Sequence, residues 1–534
     1  MKIINVLTFL GLVLAVLIPS CKEKPNQTRP NIIYIMSDDH AYQAISKYGY
    51  GLNQTPNIDR IAEEGAIFTN ACVTNSLCAP SRAVMLTGKH SFINGKVDNV
   101  QEFNWDQQSF PKLLQNSGYQ TALIGKIHLD GIPQGFDYSA VLPGQGDYYN
   151  PDFVVNGKKE QIHGYVTHIT TQLALNWLKN RDTKKPFCLL YHQKAPHREW
   201  MPEPKYFKEF IHNKYKEPST FFDDRTERGT AALEAEMSIW RDQNWSGDSK
   251  IYPEIMDRLR LEDPLEWGIN AFTNNVGRMD EIQRDEWDSI YGPMNNKFEK
   301  EYPKMTEKEI ALWRYQRYMQ DYLACIQSVD DGVGEMLDYL DKTGLAENTI
   351  VVYTSDQGFY LGEHGWFDKR FMYKESFKTP LLIRYPKEIK PKTEISKLIQ
   401  NIDFAPSFLD YAGIDIPQDI QGESFRNLIS GKSGEWRDAV YYTFYEYPSI
   451  HMVKRHYGIA TERYKLIHFY YDIDEWELYD LEKDPNEMKN VYNDPAYLDI
   501  QNDMHDRLDE LRTKYGDSKE SEEKYLKAYL NAIK

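Results

Sequence analysis

The chain has little cysteine, an excess of negative over positive charge, and few long apolar runs. Five of its 534 residues are cysteine, with no Cys-x-x-Cys pair, and their spacing indicates no disulfide framework. Lys and Arg number 63 against 80 Asp and Glu, giving a net charge of −17. This balance argues against a broad basic surface, so we expect no nucleic acid partner. Any anionic substrate must be held by local positive charge.

A long apolar run lies at the N-terminus. Lys2 precedes an apolar stretch that ends at Ile18, and Ser20 and Cys21 follow it. A basic start, a short apolar core and a small residue before cysteine resemble a bacterial lipoprotein signal over residues 1–21. We therefore expect an exported protein, periplasmic or anchored to the bacterial membrane by a lipid on Cys21. Simple secretion is the alternative.

The rest of the chain alternates strands with helices. Apolar runs predict strands at 31–36, 67–73, 119–124, 187–191, 349–353 and 381–385. Helical periodicity and capping signals predict helices at 56–64, 110–116, 167–180 and 307–340, the last with Thr306 as N-cap. This alternation predicts an α/β fold, with a large mostly parallel mixed sheet sandwiched by helices.

The pattern divides the chain into two parts. Residues 29–437 form the predicted α/β domain, interrupted at about 206–303 by a polar, Trp-rich insertion that reads as irregular and without strands. From residue 438 to 534, close-spaced strands such as YGIAT and YKLIHFYY predict a smaller antiparallel subdomain, and the tail from Asp506 predicts a surface helix.

Two predicted strands end in similar polar residues. Asp38 and Asp39 follow the first strand, and Asp356 and Gln357 follow the strand at 349–353. Ligands of open α/β sheets bind at the carboxyl ends of strands. Carboxylate and amide oxygens suit a hard cation, so calcium is favoured and magnesium is second. The alternative is that each Asp caps the next element or starts a turn.

A cysteine lies at the start of a predicted helix in 76-SLCAPSRAVMLTGKH-90. Pro80 suits the first turn, which puts Cys78 just before the helix, where free N–H groups favour negative charge. Arg82 follows one turn later on the same face. These residues outline an anion site; a capped helix with a buried cysteine and a surface arginine is the alternative. Cys72, Cys188 and Cys325 are predicted to be buried apolar residues.

These motifs resemble those of a known family. CAPSR with the following TGKH fits a sulfatase signature, and GKIH, APH, SDD, SDQG and GEHG followed by a lysine match further sulfatase motifs in the same order. The match extends from about Arg29 into the C-terminal strands, where YKLI and ELYDLEKDPNE also look like the family. The chain therefore resembles the formylglycine-dependent sulfatases of the alkaline phosphatase superfamily.

The resemblance implies a mechanism and a set of residues. Cys78 is expected to be oxidised to formylglycine by a sulfatase-maturing enzyme; one hydroxyl of its hydrate attacks sulfur and the second allows sulfate to be eliminated. His128 is the implied base for elimination, and Lys374 competes with Lys369 for its role beside the leaving oxygen. Many family members carry Asn where this chain has Gln357. The implied catalytic residues are Cys78, Arg82, Lys126, His128, His197 and Lys369. The implied ligands of calcium are Asp38, Asp39, Cys78, Asp356 and Gln357.

The substrate is expected to be a sulfated extracellular glycan. PGQGDYYNPDF and KAPHREWMP look like sulfatases that act on the 6-O-sulfate of N-acetylglucosamine, as in heparan, mucin or keratan chains. A uronate 2-O-sulfatase, a phosphate or phosphonate ester hydrolase, and an inactive glycan-binding lipoprotein are the alternatives. The candidate substrate-binding residues are Tyr148, Tyr149, His163, Arg198, Glu199, His451 and Arg455.

Overall fold

The structure is a computed structural model, and it describes residues 29–432 and 434–534. The predicted export signal and Cys21 lie outside the described residues. Among the helices that are described, none has both the length and the apolar character needed to cross a membrane.

The described residues form a strand-rich core surrounded by helices. The strands are β1 (Asn31–Ser37), β2 (Ala66–Phe68), β3 (Ala71–Cys72), β4 (Gln120–Lys126), β5 (Tyr138–Leu142), β6 (Asp152–Val155), β7 (Lys158–Gln161), β8 (Phe187–Gln193), β9 (Thr349–Ser355), β10 (Leu381–Arg384), β11 (Thr393–Ile395), β12 (Ile399–Gln400), β13 (Ala439–Phe444), β14 (His456–Thr461), β15 (Tyr464–Phe469) and β16 (Glu475–Asp480). The α-helices are α1 (Pro56–Glu63), α2 (Cys78–Thr87), α3 (Ser91–Asn94), α4 (Phe110–Asn116), α5 (Val166–Asn180), α6 (Pro204–Phe210), α7 (Thr230–Glu234), α8 (Pro253–Leu259), α9 (Trp267–Gly277), α10 (Glu281–Glu301), α11 (Glu307–Lys342), α12 (Lys374–Phe377), α13 (Phe404–Tyr411), α14 (Arg426–Ile429), α15 (Leu498–Tyr515) and α16 (Lys519–Ala532).

Ten strands make the main sheet, in the order β11-β2-β10-β9-β1-β8-β4-β5-β6-β7. The central strands β9, β1, β8, β4 and β5 run parallel, whereas β10, β6 and β7 pair antiparallel to their neighbours. The sheet is therefore mixed but mostly parallel at its centre, as predicted. Strand β1 lies between β8 and β9. Because all three strands run parallel, their carboxyl ends lie at the same edge of the sheet.

Both faces of the sheet are covered, because the side chains of β1 alternate between two cores. Ile33 and Ile35 pack in the core on the side of α1, α5 and α11. Tyr34 and Met36 pack in the core on the side of α2, α4 and α13. A strand buried on both faces reads as a continuous apolar run, which is why NIIYIM was recognisable.

One predicted strand differs in detail, and one predicted helix start is confirmed. The run at 67–73 forms two short strands, because β2 pairs with β10 and β11 in the main sheet whereas β3 pairs with β12 in a separate two-stranded sheet. The long helix α11 begins where predicted: Glu309 N donates to the Thr306 hydroxyl, as a capping box requires.

The insertion at about 206–303 is more regular than predicted. It has no strand among its described residues, in line with the sequence pattern, but α7, α8, α9 and α10 lie inside it and α6 runs into it. Helix α10 starts with a capping box between Asp280 and Gln283, and its buried face carries Trp287 and Tyr291. Apolar residues of α9 and α10 pack in the core that contains α6 and α11, whereas those of α7 pack in the core shared with the C-terminal sheet.

The C-terminal residues form an antiparallel sheet, β13-β14-β15-β16, flanked by two helices. Alternate side chains of β13 face opposite ways: Tyr442 packs against Trp366 and Phe377 of the large domain, and Tyr441 packs toward α15 and α16. The predicted single tail helix is two helices, since Gly516 in the left-handed conformation ends α15 and Ser518 caps α16. This packing brings the loop after β13 to the main sheet edge.

Candidate active site

The carboxyl ends of β1 and β9 meet at one edge of the sheet. Because the two strands pair in parallel with Ser37 opposite Ser355, Asp38 and Asp356 emerge side by side. The N–H of Asp39 donates to Asp356 Oδ1 at 3.0 Å. Carboxylate oxygens of Asp38, Asp39 and Asp356 lie within 4.8 Å of one another, all buried. The three carboxylates predicted from separate strand ends therefore form one cluster.

Gln357 and Cys78 lie against this cluster. Gln357 Nε2 donates to Asp39 Oδ1 and lies 4.0 Å from Cys78 Sγ. Helix α2 begins at Cys78 itself and not after it as predicted, because Leu77 is already the extended residue that precedes the first turn. Burial raises the pKa of the Cys78 thiol, so the unmodified side chain is a poor nucleophile.

Two cations approach Asp38. Arg82, one turn into α2, places Nη2 3.4 Å from Asp38 Oδ1 and 2.9 Å from Asp356 Oδ2. Lys126, the last residue of β4, forms an ion pair with Asp38 Oδ2, and its carbonyl accepts a hydrogen bond from Arg82 Nη1 at 2.7 Å. Burial alone would raise the pKa of Asp356, but Arg82 and Lys126 hold it below its usual value.

A second pair of basic groups approaches Asp39. Lys369 Nζ lies 2.7 Å from Asp39 Oδ2, and His197 Nε2 lies 3.7 Å from the same oxygen. The His197 ring is oriented by its Nδ1, which donates to the carbonyl of the next residue at 2.5 Å. Lys374 instead donates to the carbonyl of Pro485 at 2.8 Å. Lys369 is therefore the lysine that reaches the cluster.

His128 joins the cluster indirectly. Gln145 accepts a hydrogen bond from Lys126 Nζ, and its amide nitrogen lies 3.4 Å from His128 Nε2. Burial, together with the charges of Lys126 and Arg82, lowers the pKa of His128 well below its ordinary value. The imidazole is therefore neutral at pH 7. Sequence reasoning missed Gln145, which lies in a glycine-rich loop with no strand-end signal.

A pocket of about 350 Å³ opens beside Cys78, His197 and Lys369. Four of the candidate substrate-binding residues line it: Tyr148, Arg198, Glu199 and His451. Sequence reasoning missed the lining residues Asn99, Gln145, Lys194, Asp368, Arg370 and Glu446. Asp368 and Arg370 flank Lys369 in the segment after GEHG, so their position next to a motif residue could have indicated them.

The other three candidate substrate-binding residues lie outside this pocket. Tyr149 points into the core, where its hydroxyl donates to the carbonyl of Pro202 at 2.9 Å. His163 lies on the surface, 2.6 Å from Asp280. Arg455 is buried between the C-terminal sheet and α16, with its guanidinium over the rings of Tyr445 and Tyr529. Four of the seven candidates therefore line the pocket and three do not.

Comparison with known proteins identifies the group to which this site belongs. The chain matches the family profile described as Sulfatase over residues 30–414. The chain belongs to the sulfatase family. A second profile, described as N-sulphoglucosamine sulphohydrolase, C-terminal, matches residues 362–514 of the same sulfatase. The protein is therefore a sulfuric ester hydrolase with the α/β sulfatase fold, as its motifs predicted.

Individual relatives of this sulfatase are similar over most of its length. It is 50% identical over 502 residues to an N-acetylglucosamine-6-O-sulfatase of Bacteroides thetaiotaomicron, covering 93% of this chain and 88% of the relative. It is 28% identical to the N-acetylglucosamine-6-sulfatase of Homo sapiens, over 77% of this chain and 66% of that protein. A solved structure of a protein with its substrate D-glucosamine-2-N,6-O-disulfate superposes with a TM-score of 0.88 at 49% identity, covering 93% of this chain and all of that one.

Family membership implies a formylglycine and a divalent metal ion, and the residues of this sulfatase fit both. Cys78 is at the position of the signature cysteine and faces the carboxylate cluster. Neither oxygen of Asp38 accepts a hydrogen bond, although Arg82 and Lys126 approach as cations, and Gln357 Oε1 is buried without a hydrogen-bond partner. Burial raises the pKa of Asp39 even though the nearby charge of Lys369 acts in the opposite direction. The candidate metal ligands are carboxylate and amide oxygens, which are hard donors, and Cys78 faces them.

Proposed function

We propose that this sulfatase removes the 6-O-sulfate of N-acetylglucosamine or glucosamine residues in extracellular glycans. The observation that carries the proposal is the 49% identity and close superposition with a protein whose substrate is glucosamine bearing 2-N- and 6-O-sulfate groups. The pocket beside Cys78 supports it, since a volume of about 350 Å³ suits a sugar of one or two rings.

Two pairs of basic side chains support a division of labour. Arg82 and Lys126 contact Asp38, whereas His197 and Lys369 contact Asp39 and line the pocket that would hold the sugar. We assign the first pair to the transferring sulfuryl group and the second pair to the leaving sugar oxygen. The negative charge that develops on this oxygen must be neutralised by a proton or stabilised by a nearby cation.

The remaining roles follow from chemistry and position. Formylglycine, when formed, supplies a hydrated aldehyde whose one hydroxyl attacks sulfur and whose other hydroxyl allows sulfate to leave. Neutral His128, which is linked to Lys126 through Gln145, would accept the proton of that second hydroxyl. The divalent ion, which we propose to be calcium because the donors are carboxylate and amide oxygens, supplies positive charge next to the sulfate.

Four further proposals concern the maturation, export, lipid anchoring and location of the protein. A sulfatase-maturing enzyme would oxidise Cys78. The segment 1–21 would direct export, and Cys21 would carry the lipid. The enzyme would then act in the periplasm or at the bacterial membrane. Metabolic labelling with a fatty acid would test the anchor, with a Cys21→Ser chain as the control that should not be labelled.

The test of the proposed function is a sulfate-release assay on matured protein. The panel should contain 6-O-sulfated N-acetylglucosamine, D-glucosamine-2-N,6-O-disulfate, a 2-O-sulfated uronate disaccharide and an aryl phosphate. We expect release from the two 6-O-sulfated sugars only. Turnover of the uronate or the phosphate ester without turnover of either 6-O-sulfated sugar would overturn the proposal. Removing metal with a chelator should abolish release, and calcium should restore it better than magnesium.

A further inference from the structure

Three cations of the pocket already have carboxylate partners. Lys369 Nζ is 2.7 Å from Asp39, a guanidinium nitrogen of Arg198 is 2.7 Å from Asp248, and Arg370 Nη1 is 2.9 Å from Glu446; these contacts fix each group. Each of these charges is therefore balanced before a ligand enters.

Lys194 is different. It lines the same pocket and is 3% exposed, yet within residues 29–432 and 434–534 no carboxylate oxygen lies within 4.0 Å of its ammonium. Its Nζ lies 4.7 Å from the centre of the Tyr148 ring, and the Tyr148 hydroxyl donates to the carbonyl of His197 at 2.6 Å. The ammonium is thus seated on a fixed ring next to a residue assigned to the leaving oxygen.

A buried ammonium with no ion pair is costly, and an anion in the pocket would offset the cost. The hydrolysed ester is not the best partner for it. Arg82, Lys126, His197 and Lys369 all contact the carboxylate cluster that marks the sulfate position, and Lys194 makes no such contact. Its charge is available to a different group of the same substrate.

We propose that Lys194 recognises a second anionic oxyacid group of the substrate, separate from the ester that is hydrolysed. This inference deepens the proposed function and rests on it. Two sources share this chemistry: an N-sulfate on the same glucosamine ring, and the carboxylate of a neighbouring uronate. The enzyme would accordingly prefer doubly anionic sugars to sugars that carry a 6-O-sulfate alone.

The test is a comparison of binding by calorimetry in calcium-containing buffer, with Cys78→Ala protein so that nothing turns over. The ligands are 6-O-sulfated N-acetylglucosamine, D-glucosamine-2-N,6-O-disulfate, and a disaccharide of uronate with 6-O-sulfated N-acetylglucosamine. A charge-assisted contact corresponds to roughly tenfold or more in affinity. We expect Lys194→Met to raise the Kd of a doubly anionic ligand about tenfold more than the Kd of the singly sulfated sugar. Lys194→Arg should restore most of the difference.

The ligand that shows the larger loss identifies the source of the anion. Lys214→Met, a change at an exposed lysine outside the pocket, is the matched control and should alter no Kd. An equal loss for all three ligands would overturn the inference, since Lys194 would then act on the hydrolysed ester; so would the absence of any loss. Failure of the proposed function is a separate result, seen as wild-type enzyme that releases no sulfate from either 6-O-sulfated sugar.

Discussion

The ion pair between Arg198 and Asp248 offers the sharpest test of how the insertion supports the pocket. Arg198 Nε donates to Asp248 Oδ1 at 2.7 Å and Nη2 to Oδ2 at 2.5 Å, with both side chains almost fully buried. Asp248 Oδ2 also accepts from the N–H of Asn244 at 2.6 Å. Removing one partner of a buried pair costs about 3–5 kcal/mol, because the other charge stays buried. We expect this loss of unfolding free energy for Asp248→Ala.

The loss is measurable as a melting temperature. With an unfolding entropy of about 2.1 cal/mol/K per residue over 534 residues, it corresponds to a decrease of roughly 3–5 °C. Calorimetry of purified wild type and variant measures it directly. Asp257→Ala, a change at an exposed carboxylate in the same insertion, is the control and should shift the Tm by less than about 1 °C.

A double variant separates the pair from simple loss of packing. Replacing both charges by apolar residues, as in Arg198→Met with Asp248→Leu, should recover much of the stability, since neither charge of the pair is left buried without its partner. The reasoning is refuted if Asp248→Ala melts within 1 °C of wild type, or if the double variant is less stable than the two single changes would give together.

Three further outcomes are expected. Cys78→Ala should abolish sulfate release while leaving the circular dichroism spectrum and Tm near wild type; retained turnover would refute the assigned nucleophile. Gly125→Ala should lower the Tm by several degrees, because φ is +103° and an added Cβ would lie 1.8 Å from the carbonyl oxygen of His192; an unchanged Tm would contradict this. The hydrogen bond to Glu203 raises the pKa of His168 above 6.5, so its stabilisation is present below pH 6.5 and is lost as pH rises through the raised pKa. His168→Gln should therefore destabilise the protein at pH 6 by under about 1 kcal/mol, because the pair is partly exposed, and by less at pH 9. Urea unfolding at both pH values measures the two losses. Equal losses would show that the positive charge of His168 contributes nothing to stability.

The strands that the sequence predicted best are those buried on both faces. NIIYIM and TIVVY are apolar throughout, so β1 and β9 were recognisable without any tertiary information. The strand β7, with its polar and exposed side chains, gave no such signal, and β6 has only four residues. Helices of the insertion were missed for a related reason: α10 is polar over most of its surface, and only Trp287, Tyr291 and a few neighbours mark its buried face.

The same contrast holds within the site. Asp38, Asp356, Lys126 and His197 could be chosen from sequence because each lies at or just after the end of an apolar strand and within a motif that resembles the family. Glu446 could not, because it reaches the pocket only through the docking of the C-terminal sheet on the large domain.

The sequence by itself determined the family, the positions of the central strands along the chain, and the residues at the carboxyl ends of those strands. These features depend on local apolar runs and short motifs. Only the tertiary structure decided which carboxylate each cation contacts, and that Lys194 has no carboxylate oxygen within 4.0 Å in the described part of the chain. Pairing is a matter of distances of a few ångströms between segments that lie hundreds of residues apart, as with Lys369 and Asp39, and no local pattern encodes such distances.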